Sequence, residues 1–307
     1  MSIINMNRFL IKLLPLSIWL FLSSPIVFSQ GTAAVKKKVP VKQPTHQEIF
    51  NEKMTLPRPL SMATGVVAFG KIFRGNPYPK SKIDTTKRSD GYVKLQPISA
   101  EVLVVNLRIF DCVTFVESMI ALTQTSRSKT PNYDTFKQKV AQIRYRNGEI
   151  DYAARLHYFS DWLYENEKRG VLKNITQSIG GEIFDKSVFY MSYKKDTLYG
   201  NMADPTTFAR MKKVEENITN RVKYFIPKDK VADIESKIKD GDIIGITNRL
   251  DGMDMAHTGI ALWQNGRLYM LHASSQFRQV LISDVPLVDY LARNKSQTGI
   301  MVGRLVD

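Results

Sequence analysis

Apolar residues recur along this chain with two different rhythms, and one gives way to the other near Gly241. Upstream, Cys112, Phe115, Val116, Met119 and Leu122 fall at i, i+3, i+4, i+7 and i+10, a single stripe that predicts a helix from Cys112 to about Thr125. A second helix is expected from Tyr133 to about Arg146, stopped by Asn147 and Gly148, and a third from about Ala153 to Lys168. Breaks fall at Pro57 to Pro59, at Gly75 to Pro79 and over Asp84 to Gly91. Downstream the pattern turns to short β segments: Asp242 to Thr247, Thr258 to Trp263, Arg267 to His272, Gln279 to Ile282 and Ile300 to Val306. Between the two regimes, Lys173 to Asp240 gives only a short strand near Val188 to Tyr193 and a helix near Pro205 to Lys213. Helices first and strands later read as an α+β fold, N-terminal helices packed on one face of a C-terminal antiparallel sheet.

The start of the chain follows another logic. Arg8 and Lys12 accompany an apolar run, Leu13 to Leu22, that is too short to span a bilayer comfortably, and Val27 and Ser29 form a small-residue cleavage pattern. Residues 1–29 therefore read as a signal peptide, with an uncleaved membrane anchor as the alternative. Residues 30–45, with Lys36 to Lys38, Pro40 and Pro44, read as a basic disordered linker. That leaves 46–307 as one domain. Nothing in it approaches a membrane span, so the expected product is a soluble monomer exported to the periplasm or cell envelope.

Charge narrows the partner. The formal charge of +15 drops by two with Arg8 and Lys12 and by four with the lysines before His46, leaving about +9 on the body. The basic residues are scattered, and an export signal argues against nucleic acid. An anionic envelope polymer satisfies both observations.

The chain holds a single cysteine, so no intramolecular disulfide forms, and an unpaired thiol in an exported protein calls for a reason. Core filling is one. Its position offers another. Asp111 is a good N-cap for the helix that Cys112 begins, and the free amides of a helix N-terminus favour thiolate over thiol and can hold an oxyanion. His257 opens the strand Thr258 to Trp263, and Asn265-Gly266 is a two-residue hairpin signal leading into the strand that ends at His272. With that loop, Gln264 pairs with Arg267, Gly259 with His272 and His257 with Ser274, so the two imidazoles are diagonal neighbours on one face. Gly259 and Ala261 share that face and are small, which leaves room for the Cys112 helix to pack there. Cysteine, histidine and a third polar residue form a recurring amide-hydrolysis arrangement, with Cys112 as nucleophile, His257 as base and His272 as the orienting group. Zinc held by Asp254, His257 and His272 is a competing reading, but it leaves Cys112 idle and lacks an HExxH or paired-cysteine motif. The expectation is an enzyme with neither metal nor cofactor.

The segments FDCVTFVES (110–118), HTGIALW (257–263) and LHAS (271–274) resemble the NlpC/p60-type cysteine peptidases, and within them the N-acetylmuramoyl-L-alanine amidase-like branch. The resemblance runs from about Leu60 to Leu305. The wider superfamily more often has DCSG where this chain has Asp111, Cys112, Val113 and Thr114. It implies a papain-like fold, a peptidoglycan or muropeptide substrate, and the same three catalytic residues. It further implies a substrate side formed by Tyr78, Asp111 and Arg155, with Tyr78 over the nucleophile and Arg155, in the segment Tyr152 to Trp162, free to grip a carboxylate through two parallel hydrogen bonds. A surface salt bridge on that helix is an equal alternative for Arg155. Two bonds remain candidates for cleavage, muramoyl–L-alanine and γ-D-glutamyl–diamino acid, and a non-catalytic wall-binding module is the rival from another class.

Overall fold

The computed structural model describes residues 43–79 and 100–307; the expected signal peptide, most of the expected linker and the break over Asp84 to Gly91 lie outside them. Two short helices come first, α1 (His46–Lys53) and α2 (Met62–Ile72), each begun by a hydroxyl cap, Thr45 or Ser61, in a reciprocal capping box. Then come α3 (Cys112–Ser126), α4 (Tyr133–Arg144) and α5 (Phe159–Lys168). Beyond the half-buried Cys112, the α3 stripe is buried as its spacing demands. So is most of the opposite side, where Thr123 and Thr125 satisfy their hydroxyls by donating to the carbonyls of Met119 and Ala121. Helix α2 crosses it closely at Gly65, where a Cβ would stand 2.2 Å from Thr123.

The third helix begins later than its apolar pattern suggests. Arg146 donates to the Ala154 carbonyl and Leu156 to that of Arg144, so residues before Phe159 are drawn into a bridge with the end of α4. Helix α4 itself ends at Arg144, with Asn147 and Gly148 at positive φ closing the turn beyond it.

In the middle, β1 (Leu172–Asn174), β2 (Glu182–Ile183) and β3 (Tyr224–Pro227) are strands that periodicity did not reveal. The expected strand over Val188 to Tyr193 is instead the short helix α6 (Tyr190–Tyr193), because Phe189 and Tyr190 both donate to the Gly252 carbonyl and turn the chain. Helices α7 (Lys195–Leu198) and α8 (Pro205–Thr219) follow, the latter capped by Asp204 and running six residues past its expected end. Then come α9 (Val231–Ile234), β4 (Ile243–Asn248), β5 (Met255–Gln264), β6 (Arg267–Ser274), β7 (Gln279–Ile282), α10 (Leu287–Ala292) and β8 (Gln297–Leu305).

The strands form one antiparallel sheet in the order β2-β3-β8-β4-β5-β6-β7, with β1 also paired to β8. The fold is thus α+β, with helices on both faces. One face, with Ile243, Ile260, Leu271 and Met301, closes on the α3 side through Phe115, Val116 and Met119. The other, with Ile244, Ile246, Ala261 and Met270, carries α9 and α10 through Val231, Ile234, Leu287 and Leu291.

Candidate functional site

The hairpin β5–β6 sets the site. Asn265 and Gly266 both take positive φ, as a two-residue turn requires, and Gln264 pairs with Arg267 as the loop length predicts. The ladder runs only to Ile260–Leu271, so the expected pairs Gly259–His272 and His257–Ser274 lie beyond it. On the other edge of β5 the register slips by one residue at Ala256, a bulge immediately before His257. The two histidines do share a face: His257 Nε2 and His272 Nδ1 are 2.6 Å apart, with the rings edge-on at 4.8 Å.

That face is not the one on which α3 packs. His257 pairs with Ile246 and, like Gly259 and Ala261, belongs to the α10 side, while Ile260 and Leu271 face α3. Nor does Gly259 make room for a helix. A Cβ there would come within 2.5 Å of Met270 and 2.9 Å of His272, so the space belongs to β6. Cys112 meets β5 through the backbone of the strand. Its sulfur accepts a hydrogen bond from the backbone N–H of Thr258, the residue after His257, in the stretch of β5 beyond the β5–β6 ladder. Thiol and imidazole are thereby attached to consecutive residues of one strand.

Asp111 caps α3 as expected, accepting from Thr114 N and Thr114 Oγ1 at 2.7 Å each. The expected depression of the thiol is not found. Burial first, and the adjacent Asp111 carboxylate second, push the Cys112 thiol up to about 12 against the opposing hydrogen bonds from the amides of Thr258, Val113 and Cys112. Desolvation beats the helix terminus, and at neutral pH the sulfur carries its proton. Burial holds His257 down to about 4. Burial, and then the neighbouring His257, take His272 to about 2. Both imidazoles are neutral, and His272 Nε2 is buried without a hydrogen-bond partner.

Two phenols lie within electrostatic reach of the Cys112 sulfur. Tyr78 is held by a strap: Pro77 bridges to Gln279 on β7, Tyr78 N donates to the Arg278 carbonyl at 2.8 Å, and Phe110 N donates to the Pro77 carbonyl at 3.1 Å. Burial, then Cys112, then Asp111 raise its phenol, while Arg278, 5.2 Å from the ring centroid, opposes them. Tyr290 escaped the sequence analysis. It stacks 6.5 Å from His257, stands edge-on 5.6 Å from His272, and is raised by burial and then by Cys112. Its only signal was a place in the short apolar helix 287–292, which carries no motif.

Arg155 is engaged elsewhere. Its guanidinium pairs with Glu101, whose Oε1 also accepts from Tyr145 at 2.7 Å, so the salt bridge, made inside the protein, is the role the structure displays. Asp254 turns away from the histidines to accept from Ser160 N and Ser160 Oγ, both at 2.7 Å. Among the described residues no group of three or more His, Cys, Asp or Glu side chains is placed to hold a metal ion.

Residues 68–300 match the AmiA-like family, described as N-acetylmuramoyl-L-alanine amidase-like. Among solved structures, an N-acetylmuramoyl-L-alanine amidase from Bacteroides uniformis is 34% identical, with 80% of this chain and 99% of that one covered and a TM-score of 0.71. A Bacteroides fragilis protein provisionally assigned as a xylanase is 32% identical over 78% of this chain and 100% of its own, with a TM-score of 0.69. A Legionella pneumophila protein at 23% identity covers 85% of this chain and 93% of its own with a TM-score of 0.58, a likeness of fold. No curated protein matches the chain.

Proposed function

Since the chain belongs to the N-acetylmuramoyl-L-alanine amidase-like family, we propose that it is a cysteine amidase of the cell envelope that hydrolyses the amide between N-acetylmuramic acid and L-alanine in peptidoglycan fragments. The observation that best supports this reading is the backbone N–H of Thr258 acting on the Cys112 sulfur, one residue along β5 from His257.

The Nε2 of His257 is taken by His272, so Nδ1 is the atom left to act on the thiol. For Nδ1 to be a base, the His257 proton sits on Nε2 and is donated to His272 Nδ1; His272 then carries its own proton on Nε2. A thiol near 12 and an imidazole near 4 rest as a neutral pair, so proton transfer accompanies attack and does not precede it. The sulfur adds to the muramoyl carbonyl while Nδ1 takes its proton. Backbone amides at the start of α3 oppose the negative charge that develops on the oxygen. Collapse passes the proton from His257 to the alanine nitrogen, releases the stem peptide and leaves a thioester on Cys112. Water, deprotonated by His257, then frees the muramic carboxylate and restores the thiol.

Hydrolysis of a glycosidic bond would need two carboxyl groups flanking it. Here Asp111 is the carboxylate beside the nucleophile and is spent on its cap. Incubation with defined muropeptides, read by mass spectrometry, tests the reading: release of intact stem peptide is expected, and Cys112→Ala abolishes it. Cleavage inside the stem overturns the bond assignment. An unchanged rate in Cys112→Ala overturns the mechanism.

A further inference from the structure

Beside the nucleophile lies a small cavity that the mechanism above does not use. Its wall is formed by Val113, Val116, Leu156, Trp162, Met255 and Thr258. Val113 follows Cys112, Val116 is one helical turn further along α3, and Thr258 is the residue whose amide bonds the sulfur. Val116, Leu156, Trp162 and Thr258 are buried, while Val113, next to Cys112, and Met255 are half-buried, so the cavity is partly open and lies one residue from the nucleophile. The volume within it that a water-sized group can reach is about 20 Å³, room for one small group. The lining is apolar apart from Glu117, His157, Thr258 and the indole of Trp162. Glu117 is paired with Arg144, His157 bonds the Tyr152 carbonyl and Thr258 Oγ1 donates to the Ile244 carbonyl. Trp162 Nε1 is buried without a hydrogen-bond partner.

A space of this size and polarity suits a methyl group better than water, which needs two to four polar partners. The proposed substrate brings such groups to this place. In the amide joining muramic acid to alanine, the carbon on each side of the CO–NH unit carries a methyl: the lactyl methyl on the acyl side and the alanyl methyl on the amine side. We propose that the cavity walled by Val113, Val116, Leu156, Trp162 and Met255 is a specificity pocket that receives an α-methyl flanking the scissile amide. The inference rests on the amidase reading. It makes that site selective for size: a hydrogen leaves the pocket empty, and any branched group overfills it. The free indole N–H offers one donor to a substrate oxygen near that methyl.

The test uses the mature protein and a synthetic series, in which the parent muramoyl–L-alanyl peptide is compared with a glycyl analogue lacking the amine-side methyl and a glycolyl analogue lacking the acyl-side one. One of the two is expected to lose about 10-fold to 200-fold in kcat/KM, the worth of one methyl in an apolar pocket, and which one it is identifies the methyl. Val116→Ile, which fills the cavity, is expected to bring the parent down to that analogue's level while sparing the analogue. Val116→Ala, which enlarges it, should admit an ethyl in place of the methyl. Equal rates for all three substrates in the wild type, or selectivity unmoved in folded Val116 variants, overturn the pocket while leaving the amidase standing. Failure to cut any of the three substrates overturns the amidase reading, and the pocket with it.

Discussion

At Cys112, His257 and His272 the contest is between burial and everything that favours charge, and burial wins at each. The consequence for rate is specific. In the proposed mechanism His257 must be unprotonated to act, and with a value near 4 in place of 6.5 it stays so through mildly acidic solution. The acid limb of kcat/KM is therefore expected near pH 4, with a flat profile from about pH 5.5 through neutrality; a limb near 6.5 in a pH–rate profile would contradict it. Stability falls in the same direction but over a wider window. Both imidazoles bind protons more readily unfolded than folded, so stability falls as pH drops below 6.5, with His257 contributing down to about 4 and His272 down to about 2. Denaturation midpoints measured between pH 7 and pH 4 check the sign. Replacing His272 by Ala removes the acceptor for the His257 Nε2 proton and should lower kcat by about 10²-fold with little change in KM, and Asn should recover part of the loss. The pairing of His257 with His272 was legible because the two flank an Asn-Gly turn. The ionisation of Cys112 was not, because a sequence shows the helix start but not how much protein covers it.

The elements tell a similar story of local success and tertiary override. Helix α3, its Asp111 cap and the β5–β6 turn follow from spacing and turn chemistry, which act over a few residues. The face on which α3 packs does not, since it depends on how β4 and β6 flank β5, and the bulge at Ala256 lies in that pairing. The late start of α5 has the same origin: the bridge between Tyr145 and Arg155 outbids helix propensity over six residues. One tie between elements is unusually exposed to mutation. Arg144 on α4 and Glu117 on α3 form a buried pair at 2.7 Å, and Arg144 also donates to the Val104 carbonyl. Arg144→Ala strands the Glu117 carboxylate and should cost about 3–5 kcal/mol of stability in chemical denaturation, with Glu117→Gln in the same chain restoring part of it.

Across the whole molecule, the order of the sheet was the least legible feature. Strands β4 and β8 are neighbours although 48 residues separate the end of one from the start of the other, and β1, β2 and β3 come from the stretch with no clear rhythm. What composition did disclose is the field around the molecule. A net positive body attracts an anionic polymer over distances that salt shortens, so binding to isolated cell wall is expected to weaken severalfold between 50 and 300 mM salt, read by a sedimentation assay, while turnover of a small soluble muropeptide changes far less.

The strap that carries Tyr78 has one more effect, on solubility. Strand β7 closes one end of the sheet order, and an uncovered edge offers a row of unpaired backbone groups to any passing strand. Residues Gly75 to Tyr78 occupy that row, exchanging hydrogen bonds with Val280 and Arg278, and Pro77 contributes no N–H of its own. The same few residues therefore fix the Tyr78 phenol within electrostatic reach of Cys112 and shield the sheet from edge-to-edge aggregation.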